Sequence, residues 1–336
     1  MTTRVAGVLN PGVLLANGEY QISRVLGQGG FGITYHGLDT RLNRPVALKE
    51  FFPEGCWREG TTVISAGRWN NSSYINAKQR FLQEGQTLGQ FNHPGIVRVY
   101  YYFEENNTAY MVMEYLQGKT LGELLKSRGG KLSEADALNY IQLVGQALNM
   151  VHQAKMLHQD IKPDNIMLAQ DNRAVLIDFG AAREFAGYDN DKFTTMLTPG
   201  YAPLEQYGQA LTCANYTDIY ALGATLYHLV TGKVPVSAIE RAAGVVLKTA
   251  KEINPELSDR VSRSIAKAMA MNVTQRPQSV KEFLELLALD ASVLNTPHKK
   301  VSFYQSAKNP WDVFDSLHSA KNADDSRSSS NSDRWF

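Results

Sequence analysis

The chain has 336 residues, too many for one typical core and about right for two lobes or two domains. Hydrophobic residues make up 43% and charged residues 20%, and 34 Lys and Arg against 33 Asp and Glu leave a net charge of +1, which argues against a nucleic-acid or anionic-membrane partner held by bulk charge. Two cysteines, Cys56 and Cys213, exclude a disulfide scaffold, fit a reducing compartment and show no metal-ligand spacing.

Residues 1–17 are small and turn-rich, and Asn10-Pro11-Gly12 interrupts the apolar stretch that a signal peptide needs unbroken for ~7–15 residues. From Glu19 to Leu26 the residues alternate as in a strand, then meet the cluster Gly27-Gln28-Gly29-Gly30-Phe31-Gly32. Ile33–Leu38, the turn Asp39–Arg44 and Pro45-Val46-Ala47-Leu48-Lys49 continue a β-meander. Ser72–Gln90 contains a helix with Phe81, Leu82 and Leu88 as apolar positions, and Val97–Phe103 and Ala109–Glu114 read as two further strands. Beyond Gly118 the pattern turns helical. Ser133-Glu134-Ala135-Asp136 has the form of a helix N-terminus, and Ala137, Leu138, Ile141, Val144, Leu148 and Val151 follow with the period of a buried helix. Tyr216–Val230 is strongly apolar, while Val261–Met271 and Ser279–Leu289 are amphipathic. The apolar run Tyr220–Val230 falls short of the ~18 residues of a spanning helix, so no membrane segment is expected and the cytoplasm is the expected compartment. Residues 291–336 carry ten Ser and read as a largely disordered tail, with one apolar island at Asn309–Leu317. A β-rich half followed by a helical half makes a bilobal α+β enzyme the expected architecture.

A glycine cluster between strands is by itself a weak signal. The dinucleotide-binding version should open a helix, whereas Ile33-Thr34-Tyr35 continues as a strand, which favours a flap whose bare backbone can close over phosphates. Lys49, seventeen residues past Gly32, would place a positive charge beneath that flap, with Glu84 on the next helix as an acidic partner. Asp160, Asn165 and Asp178 fall within nineteen residues, flanked by the apolar segments Ile166–Leu168 and Ala174–Ile177 that would present them to one cleft. Asn165 and Asp178 form an oxygen pair suited to Mg²⁺, which takes few protein ligands plus phosphate oxygens. Asp160 is then left to orient a hydroxyl and accept its proton.

Taken together, the Gly-rich loop, Val46-Ala47-Leu48-Lys49, Glu84, His158-x-Asp160-x-Lys162-Pro163-x-x-Asn165, Asp178-Phe179-Gly180 and Thr198-Pro199-Gly200-Tyr201-Ala202-Pro203-Leu204-Glu205 resemble, in order and spacing, a eukaryotic-type (Hanks-type) protein serine/threonine kinase of bacterial type. The resemblance covers roughly Tyr20–Leu289. It implies the bilobal protein-kinase fold, with a small β-rich N-lobe over 18–116, carrying one main helix and a long insert at about 53–76, and a larger helical C-lobe over 117–290, preceded by an extension over 1–17. It implies ATP and Mg²⁺, with Mn²⁺ as an alternative ion, and protein substrates offering Ser or Thr hydroxyls. The implied nucleotide-binding set is Leu26, Gly27, Gln28, Gly29, Gly30, Phe31, Gly32, Ile33, Thr34, Ala47, Lys49, Met113, Glu114, Leu116 and Met167. Asp160 would be the catalytic base, Lys162 would hold the γ-phosphate, Lys49 and Glu84 would pair, and Asn165 and Asp178 would bind the metal. Asp218 would brace the catalytic loop, and Glu205 would pair with Arg276 as a buried structural bridge.

Four positions depart from the family pattern. Gln159 replaces the usual Arg before the catalytic Asp, so the loop from Asp178 to Glu205 is expected to work without phosphorylation at Thr194 or Thr195, whereas Thr198 is expected to be structural. Thr34 stands where a Val normally packs on adenine. Pro203-Leu204-Glu205 replaces Ala-Pro-Glu. Glu84 follows Lys49 by 35 residues, and the intervening Trp57, Trp69 and Tyr74 belong either to a small hairpin packed on the upper lobe or to a partner-docking insert. The tail is the second candidate docking element. A catalytically silent scaffold and a small-molecule kinase are the alternatives; the intact Lys49, Glu84, Asp160, Asn165 and Asp178 argue against the first, and the Thr198–Glu205 segment against the second.

Overall fold

The computed structural model describes residues 7–30, 32–65, 69–179, 183–184, 197–208 and 212–288. Phe31, Thr194, Thr195 and the Ser-rich tail lie outside the described residues.

The first half is a six-stranded antiparallel sheet. Strands β1 (Leu14–Leu15), β2 (Tyr20–Gln28), β3 (Gly32–Asp39) and β4 (Arg44–Phe51) form a meander. A separate two-stranded hairpin, β5 (Trp57–Glu59) and β6 (Thr62–Ile64), precedes helix α1 (Asn71–Leu88), and β7 (Val99–Glu105) and β8 (Thr108–Glu114) complete the sheet in the order β1-β2-β3-β4-β8-β7. Strict alternation along β3 buries Ile33, Tyr35, Gly37 and Asp39 while leaving Thr34, His36 and Leu38 partly open, the period-2 signature of a sheet with unlike faces. Asn70 caps α1 by accepting from Ser73 N.

The second half begins with β9 (Gly118–Thr120), α2 (Leu121–Ser127) and α3 (Glu134–Gln153), the last capped by Ser133. Short strands β10 (Met156–Leu157), β11 (Ile166–Ala169), β12 (Ala174–Leu176) and β13 (Arg183–Glu184) follow. Strand β11 pairs with both β12 and β9, and Gln170 N–H donates to Gln117 O at 2.8 Å, so the chain entering this half is stitched to it at once. Gly118 is required there: a Cβ would stand 2.1 Å from Leu168 O. Helix α4 (Asn215–Thr231) is buried along almost its whole length, as its apolar composition demands, and ends at Gly232 with φ +70°. Helices α5 (Ala238–Ala242), α6 (Ala250–Ile253), α7 (Asp259–Ala268) and α8 (Val280–Leu287) pack around it and α3.

The connection between Lys49 and Glu84 is a hairpin packed on the sheet, and its last residues, 71–76, belong to α1 rather than to an insert. Val63 N–H donates to Asn106 O at 2.9 Å, and Asn107 Nδ2 donates to Val63 O at 2.8 Å, fastening the hairpin to the β7–β8 turn. Arg58 is buried and pairs with buried Glu50 at 2.7 Å, while Tyr35 and Tyr110 each donate a hydroxyl hydrogen bond to Glu50 at 2.9 Å. Burial pushes the Glu50 carboxyl upward, against the pull of Arg58 and the donors around it. Trp69 and Tyr74 are buried; Trp57 remains about one-third exposed.

Candidate active site

The loop after β10 is anchored from beneath. Asp218, in the first turn of α4, is fully buried and accepts from His158 N at 2.9 Å, from Gln159 N at 2.7 Å and from His152 Nε2 at 2.8 Å. These bonds hold Gln159 at φ +65°, a left-handed conformation that a non-glycine residue adopts only when its surroundings fix it. Gln206 Nε2 donates to Gln159 O at 2.9 Å from the other side.

The chain is thereby turned so that Asp160 faces outward with both carboxylate oxygens hydrogen-bonded. Lys162 Nζ donates to Oδ2 at 2.7 Å, Asn165 Nδ2 donates to Oδ2 at 2.8 Å, and the Thr198 hydroxyl donates to Oδ1 at 2.8 Å. Thr198 Oγ1 in turn accepts from Lys162 Nζ at 2.9 Å. Asn165 also donates to Asp160 O at 2.8 Å, which turns its amide oxygen away from the loop. Asp160 and Lys162 each keep about one-fifth of the side chain exposed, so the group is open to a bound molecule.

A second ionic group joins the two halves. Lys49 Nζ lies 2.7 Å from Asp178 Oδ1 and 3.6 Å from Glu84 Oε1. Burial alone would lower the Lys49 pKa, but Asp178 and Glu84 outweigh it and hold the ammonium above its usual range. Burial pushes the Glu84 carboxyl upward against the attraction of Lys49, and Glu84 Oε1 accepts no hydrogen bond among the described residues. Asp178 has φ +60°, and the next residue, Phe179, is buried with its ring 4.5 Å from that of His158.

The other expected nucleotide-site residues fall on β2, β3, β4, β8 and β11. Cross-strand register places Thr34 opposite Lys49 and Ala47 opposite Met113. Glu114 N–H donates to Arg98 O at 2.8 Å, and its carboxylate pairs with Arg173 at 2.7 Å. Leu116 lies just before β9, and Met167, half-buried, lies on β11 opposite Thr120. Leu26, Gly27, Gln28, Gly29 and Gly30 line the exposed β2–β3 turn, with Gly29 N–H donating to Gly32 O at 2.9 Å. The Ile33 side chain is fully buried opposite Glu50, on the other face of β3 from Thr34, which leaves its backbone as the part that a bound nucleotide would meet.

Farther out, Glu205 and Arg276 form a buried fork with contacts of 2.6 and 3.1 Å; Thr217 donates to Glu205 at 3.0 Å, and Arg276 donates to Ala270 O at 2.7 Å. Sequence reasoning missed His152, whose place under the loop has no motif of its own, and the Glu50–Arg58 pair, because an isolated Glu and Arg in a polar stretch read as surface. It also passed over α2, α5 and α6, although Thr120/Glu123, Ser237/Glu240 and Thr249/Glu252 carry the capping-box spacing that announces such helices.

Residues 20–311 match the protein kinase domain family. The chain is similar to serine/threonine-protein kinase PrkC of Bacillus subtilis, with 31% identity over 288 residues, 83% of this chain and 42% of that one. It is similar to serine/threonine-protein kinase PknA of Mycobacterium tuberculosis, with 32% identity covering 82% of this chain and 62% of the relative. Serine/threonine-protein kinase B of Synechocystis is 31% identical over 82% of this chain and 47% of its own length. The chain thus spans about half the length of these curated relatives. Among solved structures, PpkA-294 in its apo form superposes with a TM-score of 0.74 at 34% identity, covering 84% of this chain and 100% of that one.

Proposed function

The chain belongs to the protein kinase family, and from that premise we propose that it is an ATP- and Mg²⁺-dependent serine/threonine kinase, moving the γ-phosphoryl group to Ser or Thr hydroxyls of protein substrates. The observation that carries this reading is the grip of Lys162, Asn165 and Thr198 on the Asp160 carboxylate, which is oriented by three donors yet still open to solvent. Phosphoryl transfer asks a protein mainly to position groups and balance charge, with little covalent chemistry of its own.

In this scheme Asp160 orients the acceptor hydroxyl and takes its proton at a carboxylate oxygen. Lys162, two residues on, presents its ammonium to the transferring phosphoryl group, and Thr198 keeps both side chains in register. Lys49, steadied by Glu84, holds the non-transferring phosphates. Gly27, Gly29 and Gly32 close over them with backbone alone. The donor set near the cleft fits Mg²⁺ or Mn²⁺: Asn165 and Asp178 offer oxygens, and among the described residues no cluster of three His, Cys, Asp or Glu forms a self-sufficient metal cage. When bound, such an ion supplies charge neutralisation to the phosphate oxygens.

Protein substrates, a cytoplasmic setting and the absence of a nucleic-acid role belong to the same proposal, supported by the balanced charge and by the finding that no described helix is long and apolar enough to cross a membrane. Autophosphorylation and partner docking by the tail are further parts of it. The test is transfer of radiolabelled phosphate from ATP to mixed peptides by purified protein. Asp160→Asn should abolish transfer while leaving the circular dichroism spectrum and melting temperature near wild type. Near-normal turnover in that variant would remove Asp160 from its role.

A further inference from the structure

The connection after β4 reaches back to the glycine loop. Glu54 N–H donates to Gly30 O at 2.9 Å, and Trp69 Nε1–H donates to Glu54 O at 2.9 Å. Residue 54 therefore holds the loop through its amide and is itself held through its carbonyl. Trp69 is only 4% exposed, and its ring stands edge-on to Phe51 at 6.5 Å and to Tyr74 at 6.5 Å. Phe51 is the last residue of β4 and the register partner of Gly32; Tyr74 lies on α1, the helix that carries Glu84. The indole thus sits where the strand of Lys49, the helix of Glu84 and the support of the glycine loop meet.

Among the described residues the loop is held at three points. Its downstream end is seated on β4, where a Cβ at Gly32 would stand 2.4 Å from Glu50 O. Its two sides are joined by the Gly29–Gly32 bond, and its crest is held by Glu54. Glycines at 27, 29, 30 and 32 give this segment large backbone freedom, which binding must remove unless something else has already done so. The first two restraints are internal to the meander. The third comes from outside it, through Trp69.

We propose that Trp69 is a positioning residue for the nucleotide: by fixing Glu54 it sets the height of the glycine loop over the cleft and so raises affinity for ATP without touching it. This rests on the reading of the cleft as a nucleotide site and deepens it. The hairpin segment is then a built-in stay of the flap.

The test uses the full chain. Trp69→Phe keeps a ring between Phe51 and Tyr74 and deletes the N–H. Amide exchange of Glu54 and Gly29 is followed by NMR without nucleotide; ADP affinity is measured with Mg²⁺, and steady-state rates are taken with a peptide substrate. Glu54 exchange should quicken, and the Kd for ADP and the KM for ATP should rise, each by about three- to tenfold, the worth of one net hydrogen bond. The kcat at saturating ATP and the KM for peptide should stay within about twofold of wild type, a split that general loss of fold does not produce. Trp69→Leu, which also loses the ring, should show the same split with an added fall in melting temperature. Unchanged Glu54 exchange, or faster exchange with unchanged ADP affinity, overturns the proposal. A wild-type chain that binds no ADP overturns the nucleotide reading itself, and the two failures are told apart by that control.

Discussion

Thr198 shows how much one hydroxyl can do. It donates to Asp160 and accepts from Lys162, so its removal frees two charged groups from a shared geometry at once. Thr198→Ala should lower the initial rate on a peptide by at least about tenfold, since hydrogen bonds to charged groups are worth ~1.5–3 kcal/mol. Thr194→Ala combined with Thr195→Ala should retain most activity in phosphatase-treated protein, because residue 159 is a neutral Gln with no charge for a phosphate to satisfy. Strong activation by phosphorylation at either threonine would overturn that. His158 offers a separate check. Its Nδ1 accepts from Asp160 N at 3.3 Å, and its Nε2 faces Ile177 O at 3.2 Å, which assigns the neutral Nε2–H tautomer. Burial lowers its pKa below 6.5 despite the opposing charges of Asp218, Asp160 and Asp178. A depressed folded pKa contributes stability above the unfolded value that is lost as pH falls through the folded one. The drop in urea midpoint from pH 7.5 to 5.5 should therefore be smaller in His158→Phe than in wild type, other titrating groups being common to both. Equal drops would contradict it.

At the scale of elements, the glycine loop separates two kinds of glycine. A Cβ at Gly32 meets the Glu50 carbonyl, whereas among the described residues nothing lies within 4 Å of one at Gly29. Gly32→Ala should cost about 1–3 kcal/mol of stability through forced displacement of β3 from β4, seen in urea unfolding. Gly29→Ala should leave the urea midpoint near wild type and weaken only nucleotide binding. A large loss of stability in Gly29→Ala, or none in Gly32→Ala, would reverse the assignment. The sequence made the strands legible because alternation at Ile33–Leu38 and Pro45–Lys49 is imposed by a sheet with one buried face, and it made α3 and α4 legible because their apolar periods are long. It left the hairpin unresolved for a physical reason. Strands of three residues carry too little alternation to read, and the hairpin's key side chain, Arg58, is a cation that burial alone would expel, kept inside by Glu50, which is eight residues away and looks equally solvated in the sequence. The site was legible as residue types, yet the bonds that orient it, such as Asp218 under Gln159, link positions 59 apart, and only a motif carried whole could connect them.

For the whole molecule, the Glu205–Arg276 fork ties the segment after Thr198 to the chain beyond α7 across 71 residues. Both partners are buried, so deleting one strands the other's charge. Arg276→Met should destabilise the protein by roughly 3–5 kcal/mol, read as a lower urea midpoint, and Arg276→Lys should not restore it, because an ammonium cannot reproduce the two-pronged contact. A midpoint within error of wild type for Arg276→Met would show that the pair is dispensable to the fold.

The stitching at the entry to the helical half has a mechanical consequence. Gln117 and Gly118 are bound to the β11 region, and Glu114 is bound through its amide to Arg98 on the sheet side. The peptide units of Tyr115 and Leu116 lie between these two sets of bonds, and a second tie joins the halves where Val97 N–H donates to Leu176 O at 3.1 Å and Leu176 N–H to Gly95 O at 2.8 Å. The Glu114–Arg173 ion pair joins the halves beside those two residues. Lys49 and Asp178 sit on opposite halves, so any change in the angle between the halves is read directly in their 2.7 Å contact.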